Sequence, residues 1–396
     1  MTQPHPALPI ERDAERPLDP PPGLARFREE GPLTRMSYPD GHLGWVVTGH
    51  ALARLVLADH RFSARVELHH VPNAPVPRSD QPARPGLFPL MDPPEHTRYR
   101  RLLTGQFTVR RMRVLAERIH AITADHLDAM EAVGSPVDLV KTWAQPIPAQ
   151  VICELLGVPN AVRVLFQSHA LALGRLDATP EEIRAAAVAV RGLIGELVAE
   201  KRARPGDDLL SGLTAGDLTD EELTNIGFAL LGAGLDTTAH MLALGTLALL
   251  RHPGQLAALR ADPVIAERAV EELLRHLSIA PFTLRTALED VELAGRAIRA
   301  GDTVTVSLAA ANRDPLHFDD PDTLDLLRPA GGHVSFGHGI HQCLGQQLAR
   351  VELQVALPAL VRRFPTLRLA VPLEELALRT DMSVYGVHRL PVAWDA

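Results

Sequence analysis

Apolar residues crowd the chain between Ile226 and Leu250 until almost nothing polar interrupts them, over a length that could cross a bilayer. Asp236, Thr237, Thr238 and His240 sit in the middle of this run, where an ionisable group in lipid would be expensive. A helix buried through the centre of a soluble protein carries the same pattern, and that is the expectation here. Thr219-Asp220-Glu221-Glu222 just before it reads as a capping box that opens the helix.

The rest of the pattern is shorter in period. Residues 1–32 are rich in proline and end in a short helix near Leu24–Glu30. Leu33–Ser37 and Leu43–Thr48 flank Pro39-Asp40-Gly41, which predicts a hairpin, and His50–Ala58 predicts a helix. Residues 64–90 carry Pro72, Pro75, Pro77, Pro82, Pro85 and Pro89, so a long loop without regular elements is expected. From Pro94 to Leu277 the periodicity is helical. Beyond it, Phe282–Ala287, Val291–Ile298 and Thr303–Leu308 read as strands, with Gly295 and Gly301 at turns. Residues 312–342 are irregular, Leu344–Phe364 is a helix, and the tail from Thr366 is strand-like. The expected fold is mainly α with small segregated β-sheets. No linker interrupts residues 1–396, which points to a single domain.

Composition narrows the function without naming it. The net charge of −8, from 48 acidic and 40 basic residues, argues against nucleic-acid binding. No basic tail or solenoid repeat is present. The N-terminal residues lack a charged leader and an apolar stretch, so no signal peptide is read. Two cysteines, Cys153 and Cys343, fit a reducing cytoplasm. Cys153 lies in the amphipathic stretch Val151–Leu156 and is expected to be buried.

The candidate chemistry centres on Phe336-Gly337-His338-Gly339-Ile340-His341-Gln342-Cys343-Leu344-Gly345. Glycines let this loop approach a flat partner closely, and it presents one thiol just before a helix whose first amides favour a thiolate. Such a thiolate suits a haem iron that must activate dioxygen. A zinc site from His333, His338, His341 and Cys343 is disfavoured, because zinc ligands pair across two short spacings and these crowd one loop.

This stretch matches without a gap the Phe-Gly-x-Gly-x-His-x-Cys-x-Gly haem-binding loop of the cytochrome P-450 family, which the chain resembles over nearly its whole length. Ala233-Gly234-Leu235-Asp236-Thr237-Thr238 resembles the family's oxygen-binding stretch. The small Ala-Gly pair would leave room for a ligand, an acid beside a hydroxyl can relay protons, and the threonine would help open the helix. Glu272-Leu273-Leu274-Arg275 resembles its structural Glu-x-x-Arg motif, whose i, i+3 spacing lets both side chains pair. The usual Arg-aromatic partner segment is replaced by Pro321-Asp322-Thr323-Leu324, and Arg328 is the candidate to supply the missing charge. His96 and Arg100, four apart, with Arg285 and His341, match propionate-binding positions.

The resemblance implies a haem b monooxygenase that inserts one atom of dioxygen into a C–H or C=C bond. The haem would lie between the long central helix and the cysteine-loop helix. Cys343 would be the axial iron ligand. Phe336, Gly345, Ala233 and Gly234 would contact the cofactor, and Asp236 with Thr237 would deliver protons. The chain has no Gly-x-Gly-x-x-Gly dinucleotide loop, so electrons would come from a ferredoxin and its reductase. The ferredoxin would dock near Arg100, Arg101, Arg110, Arg111, Arg113 and Arg350. Leu230, Ala233, Ile279, Phe282 and Val384 are the candidate contacts to a small hydrophobic substrate, with the loop around Val76–Leu90, the region 166–190 and Met382–Val384. Similar actinobacterial enzymes tailor polyketides, macrolides and other secondary metabolites. A cytoplasmic monomer, bound to no membrane and no nucleic acid, is expected. The alternatives are a haem-thiolate peroxygenase or coupling enzyme, and a non-catalytic haem sensor.

Overall fold

Leu33–Ser37 and Leu43–Val47 pair antiparallel around the turn that Pro39-Asp40-Gly41 predicts, with Met36 opposite Gly44. This computed structural model describes residues 5–73, 80–106, 109–159, 165, 168–169 and 173–395. The chain forms two compact units, Met1–Ala83 with Pro89–His96 and Glu271–Leu344, and Arg84–Phe88 with Thr97–Val270 and Gly345–Ala396.

The first unit is built on a five-stranded sheet. Leu43–Val47 runs parallel to Thr303–Ser307, which pairs antiparallel with Phe282–Ala287, and Phe62–Ser63 closes the edge. Every residue of Thr303–Ser307 is buried, as a central strand covered on both faces requires. Helix His50–Ala58 lays Ala53, Val56 and Leu57 into one apolar cluster with Val304 and Val306. The segment Val291–Ile298 is a tight hairpin, Val291–Leu293 against Arg296–Ile298, with Ala294 and Gly295 both at positive φ in the turn. The strand expected to reach Leu308 ends at Ser307, because the Ser307 hydroxyl accepts from Ala310 N and starts helix Leu308–Ala311. The proline-rich loop is not wholly irregular. It holds single 3-10 turns at Val66–Leu68 and Phe88–Leu90, while residues 74–79 lie outside the described residues.

The second unit is helical. Asp220–Arg251 packs against Pro146–Leu156, Pro180–Ala203 and Gln346–Arg363. Thr219 and Glu222 form the reciprocal capping box that the sequence predicts. From Thr238 to Leu249 every residue of this helix is buried. The helix is long and apolar enough to cross a membrane, but 56% of its most apolar window is buried inside the protein. Side chains from three neighbouring helices therefore take the place that lipid would occupy. A three-stranded sheet of Val137–Asp138, Pro391–Ala393 and Arg368–Leu369 gathers the tail. The helix after the cysteine begins at Gln346 with Gly345 as its cap, two residues later than the sequence implied. Cys343 thus precedes the helix, as the sequence predicts, with Leu344 and Gly345 between them.

Candidate active site

In the first unit, the cysteine loop is held from its root. Gly337 N donates to Val334 O, and Cys343 N donates to Phe336 O at 2.9 Å, closing the loop on itself. Gly339 has a φ of +73°, and a Cβ there would lie 2.4 Å from Leu57 O. Any side chain would push the loop off helix His50–Ala58, so this glycine serves loop docking. The Cys343 thiol itself is exposed, Cys153 is buried as expected, and neither is in a disulfide.

Behind the loop, Glu272 and Arg275 are both fully buried and paired at 2.7 Å. Arg275 also donates to the carbonyls of Asn312 and Pro321, each at 2.8 Å. Arg328, expected from sequence to supply a missing charge, donates from Nε to Glu272 at 3.2 Å, and Asp325 N donates to the same oxygen at 3.0 Å. Asn312 extends the network to the loop: its side chain bonds Ser278, Ser335 and Val334 N, while Ser335 Oγ donates to Leu274 O. Sequence reading missed Asn312 and Ser335, since neither stands in a recognisable motif.

Two of the anion-binding candidates of this unit meet. The His96 and His341 rings lie 4.1 Å apart between centroids. Arg285 is 5% exposed, and its guanidinium donates to a carbonyl, Leu284 O. Asp92, whose charge it feels, has its two oxygens engaged by Ser63 Oγ and Ala64 N. Among the described residues no carboxylate forms an ion pair with Arg285, and burial pushes its pKa down to about 10. A buried cation in this state fits a ligand carboxylate, which a haem propionate would supply. Arg100 lies half-buried in helix Glu95–Thr104. No group of His, Cys, Asp or Glu suited to a bare metal ion occurs among the described residues.

In the second unit, the acid and the hydroxyl sit side by side on the central helix. Thr237 Oγ1 donates to Ala233 O at 2.8 Å. The helix is continuous through this stretch, so the local opening expected from the threonine is not present. Gly234 has a packing role as well. A Cβ there would lie 2.9 Å from Ile152 Cγ1, so its small size lets two helices meet, and the exposed residue of the pair is Ala233. Asp236 accepts from Arg379 Nη1 at 2.8 and 2.9 Å, and His240 Nε2 lies 3.2 Å away. Burial raises the Asp236 pKa, against the charge and hydrogen bonds of Arg379. His240 is pushed down to about 3, first by burial and then by the charges of Arg379 and His388. From sequence His240 stood out only as a polar residue in the apolar run, and Arg379 not at all. Arg379 lies 143 residues from its partner, a pairing without any local signal.

The remaining candidates divide between the units. Leu230, Ala233 and Val384 belong to the second, while Ile279, Phe282, Phe336 and Gly345's neighbour Cys343 lie in or at the end of the first. Parts of the expected substrate regions, 76–79, 166–167 and 170–172, and the Arg110 side chain lie outside the described residues.

The family model described as Cytochrome P-450 matches residues 199–370. Cytochrome P-450 105C1 from a Streptomyces species is 53% identical over 95% of this chain and 95% of its own. Pentalenic acid synthase from Streptomyces avermitilis is 44% identical over 97% of this chain and 96% of its own. Among solved structures, that of CYP105P1 in complex with filipin I superposes with a TM-score of 0.94 at 45% identity, covering 99% of both chains.

Proposed function

The chain belongs to the cytochrome P-450 family, and from that premise we propose that it is a hydroxylase or epoxidase that tailors an apolar secondary metabolite, with Cys343 as the ligand of its haem. The family's cofactor is haem b, which when bound supplies the activation of dioxygen that this chemistry requires. The observation that carries the assignment of residues is the exposed Cys343 thiol on a loop rooted in the buried Glu272–Arg275 pair. A fixed thiolate there binds the metal without having to be organised at each turnover. Arg285, buried with no ion-paired acid among the described residues, would bind a propionate, and His96, His341 and, in the second unit, Arg100 are assigned the same role. Phe336 and Gly345, on either side of Cys343 in sequence, would contact the cofactor.

Asp236 and Thr237 move protons. The Thr237 hydrogen is directed at Ala233 O, so Oγ1 presents lone pairs and accepts a hydrogen bond in the resting state. To hand a proton on, the hydroxyl turns away from Ala233. Asp236, partly exposed, takes the proton from solvent.

Electrons come from a separate redox partner. An acidic ferredoxin would find Arg101 and Arg113 exposed on the second unit, with Arg100, Arg111 and Arg350 half-buried. Charge reversal at Arg101 and Arg113 should slow reduction and spare peroxide-driven turnover; unchanged reduction kinetics would remove this docking site. Leu230, Ala233 and Val384 in the second unit and Ile279 and Phe282 in the first are assigned to contact an apolar substrate, and two relatives, one solved in complex with filipin I and one named pentalenic acid synthase, support a metabolite substrate. The protein is expected to act in the cytoplasm.

The first test is the absorption spectrum of the reduced, carbon-monoxide-bound protein. A strongly red-shifted Soret band is expected from a thiolate ligand, and a Cys343→Ala protein should lack it. Retention of that band by the variant refutes the assignment. A screen of apolar metabolites for a low-to-high spin shift then identifies the substrate class.

A further inference from the structure

The grip on Asp236 is unusual in form. Arg379 contacts both carboxylate oxygens through the single nitrogen Nη1, so the two-pronged geometry that makes arginine–carboxylate pairs strong is not used. Its Nε and Nη2 are buried and have no hydrogen-bond partner among the described residues. The side chain is 1% exposed, whereas that of Asp236 is 26% exposed. An arginine so placed lends its charge to the acid, against the effect of burial, through one nitrogen only.

Arg379 sits on a segment suited to such a displacement. Leu378 bridges Val387, Arg379 N donates to Gly386 O at 2.9 Å, and His388 N donates to Ala377 O at 2.7 Å, forming a hairpin-like arm. The arm's tip is pinned elsewhere, by Leu176 N to Asp381 O at 2.8 Å and Ser383 N to Gly174 O at 3.0 Å. The tip residues Met382–Val384 are the expected substrate contacts of this region. Gly386 lies flat on the His240 ring, since a Cβ there would be 2.2 Å from Nδ1. One short segment therefore carries the grip on the acid at its base and substrate-facing residues at its tip.

We propose that Arg379 is a positioning residue that couples the tip of this arm to proton delivery by Asp236. The proposal rests on the reading of Asp236 as the proton-relaying acid and of Met382–Val384 as substrate-facing. While Arg379 is engaged, Asp236 is an ionised acceptor and has no proton to pass. When the arm shifts, the carboxyl takes a proton from solvent, which its burial favours, and donates it toward Thr237. His240 is the fixed side of the arrangement. Neutral in its buried site, it donates from Nε2 to the ionised carboxylate. His388 and its partner Asp381, 2.8 Å apart, complete the titratable and charged groups that the arm brings to this acid.

Isotope-edited infrared spectroscopy of the ferric holoenzyme reads the protonated aspartic acid directly, without turnover. At neutral pH the wild type should show no protonated Asp236 band. Arg379→Gln should show one, and the double variant Arg379→Gln with Asp236→Asn should lose it. Arg379→Lys, which keeps the charge, should restore the wild-type spectrum. Ser383→Pro removes the amide that pins the tip and should bring out the same band while Arg379 remains in place. An Arg379→Gln protein with wild-type melting temperature and carbon-monoxide spectrum but no band overturns the clamp. A Ser383→Pro protein without the band overturns the coupling through the arm, and this variant decides the matter if Arg379→Gln does not fold. Asp236→Asn with undiminished product yield per electron would instead refute the acid's role, a failure the infrared band distinguishes because it needs no substrate.

Discussion

The network behind the cysteine loop and the network around Asp236 use the same residue types and are built to opposite ends. Glu272 is fully buried and accepts from Arg275 Nε and Nη2, from Arg328 and from Asp325 N. Its arginine partner goes on to bond the carbonyls of the segment it must fix. Around Asp236, by contrast, Arg379 Nε and Nη2 and His240 Nδ1 are buried without hydrogen-bond partners among the described residues, and the acid itself is partly exposed. A saturated polar network in low dielectric is rigid, whereas a partly satisfied one has alternative arrangements of similar energy. The difference follows the chemistry proposed for each half. A thiolate ligand must not move, and a proton carrier must change state in every cycle.

Glu272→Ala should have the largest effect, because it leaves Arg275 and Arg328 as buried cations without a carboxylate. Breaking such a pair costs about 3–5 kcal/mol, to be seen in denaturant melts together with loss of the red-shifted carbon-monoxide band. A variant as stable as the wild type would show that the rigid half is not rigid for this reason.

Glu352 sharpens the contrast, being a second buried helical glutamate with none of Glu272's partners. It is 3% exposed, its Oε2 has no hydrogen-bond partner, and burial pushes its pKa up to about 8. The folded state then holds a proton that the unfolded chain releases above its ordinary value of 4.5. The stability this contributes is present at low pH and is lost as pH rises from there toward 8, by about 1.4 kcal/mol per unit in the steepest range. Glu352→Gln should flatten the dependence of urea stability on pH between 5 and 8. Parallel curves for the two proteins would mean that Glu352 is ionised in the fold.

Thr237→Ala tests the mobile half. Product formed per electron should fall about tenfold while the melting temperature stays within a degree or two, since general acid catalysis carries effects of that order and more. Undiminished coupling would remove the hydroxyl from the relay. The smallest effect is expected from Arg328→Lys. It keeps the charge but loses the planar donors that reach Glu272 and the carbonyls of Asp320 and Thr323, at about 1 kcal/mol.

Much of this was legible along the chain because the signals are local. The capping box at Thr219, the hairpin at Pro39–Gly41 and the buried central strand Thr303–Ser307 all follow from neighbouring residue types. The glycine-bounded cysteine and the Asp236-Thr237 pair identified the chemistry for the same reason. Boundaries shifted where a side chain intervened, as when the Ser307 hydroxyl ended a strand one residue early. One reading failed because it assigned to a kink a hydroxyl that bonds within the helix: Thr237 donates to Ala233 O in an unbroken helix.

The sequence by itself determined the helical class and singled out the thiol and the acid–hydroxyl pair to which the chemistry is assigned in our proposal. Only the tertiary structure decided which charges hold those groups. Arg379 reaches Asp236 across 143 positions, a distance over which the chain carries no periodicity to read, whereas the charge of Arg328, 56 positions from Glu272, was anticipated only through the family resemblance. An ion pair forms where folding brings two side chains within reach in a low dielectric, and that proximity belongs to the packed chain as a whole.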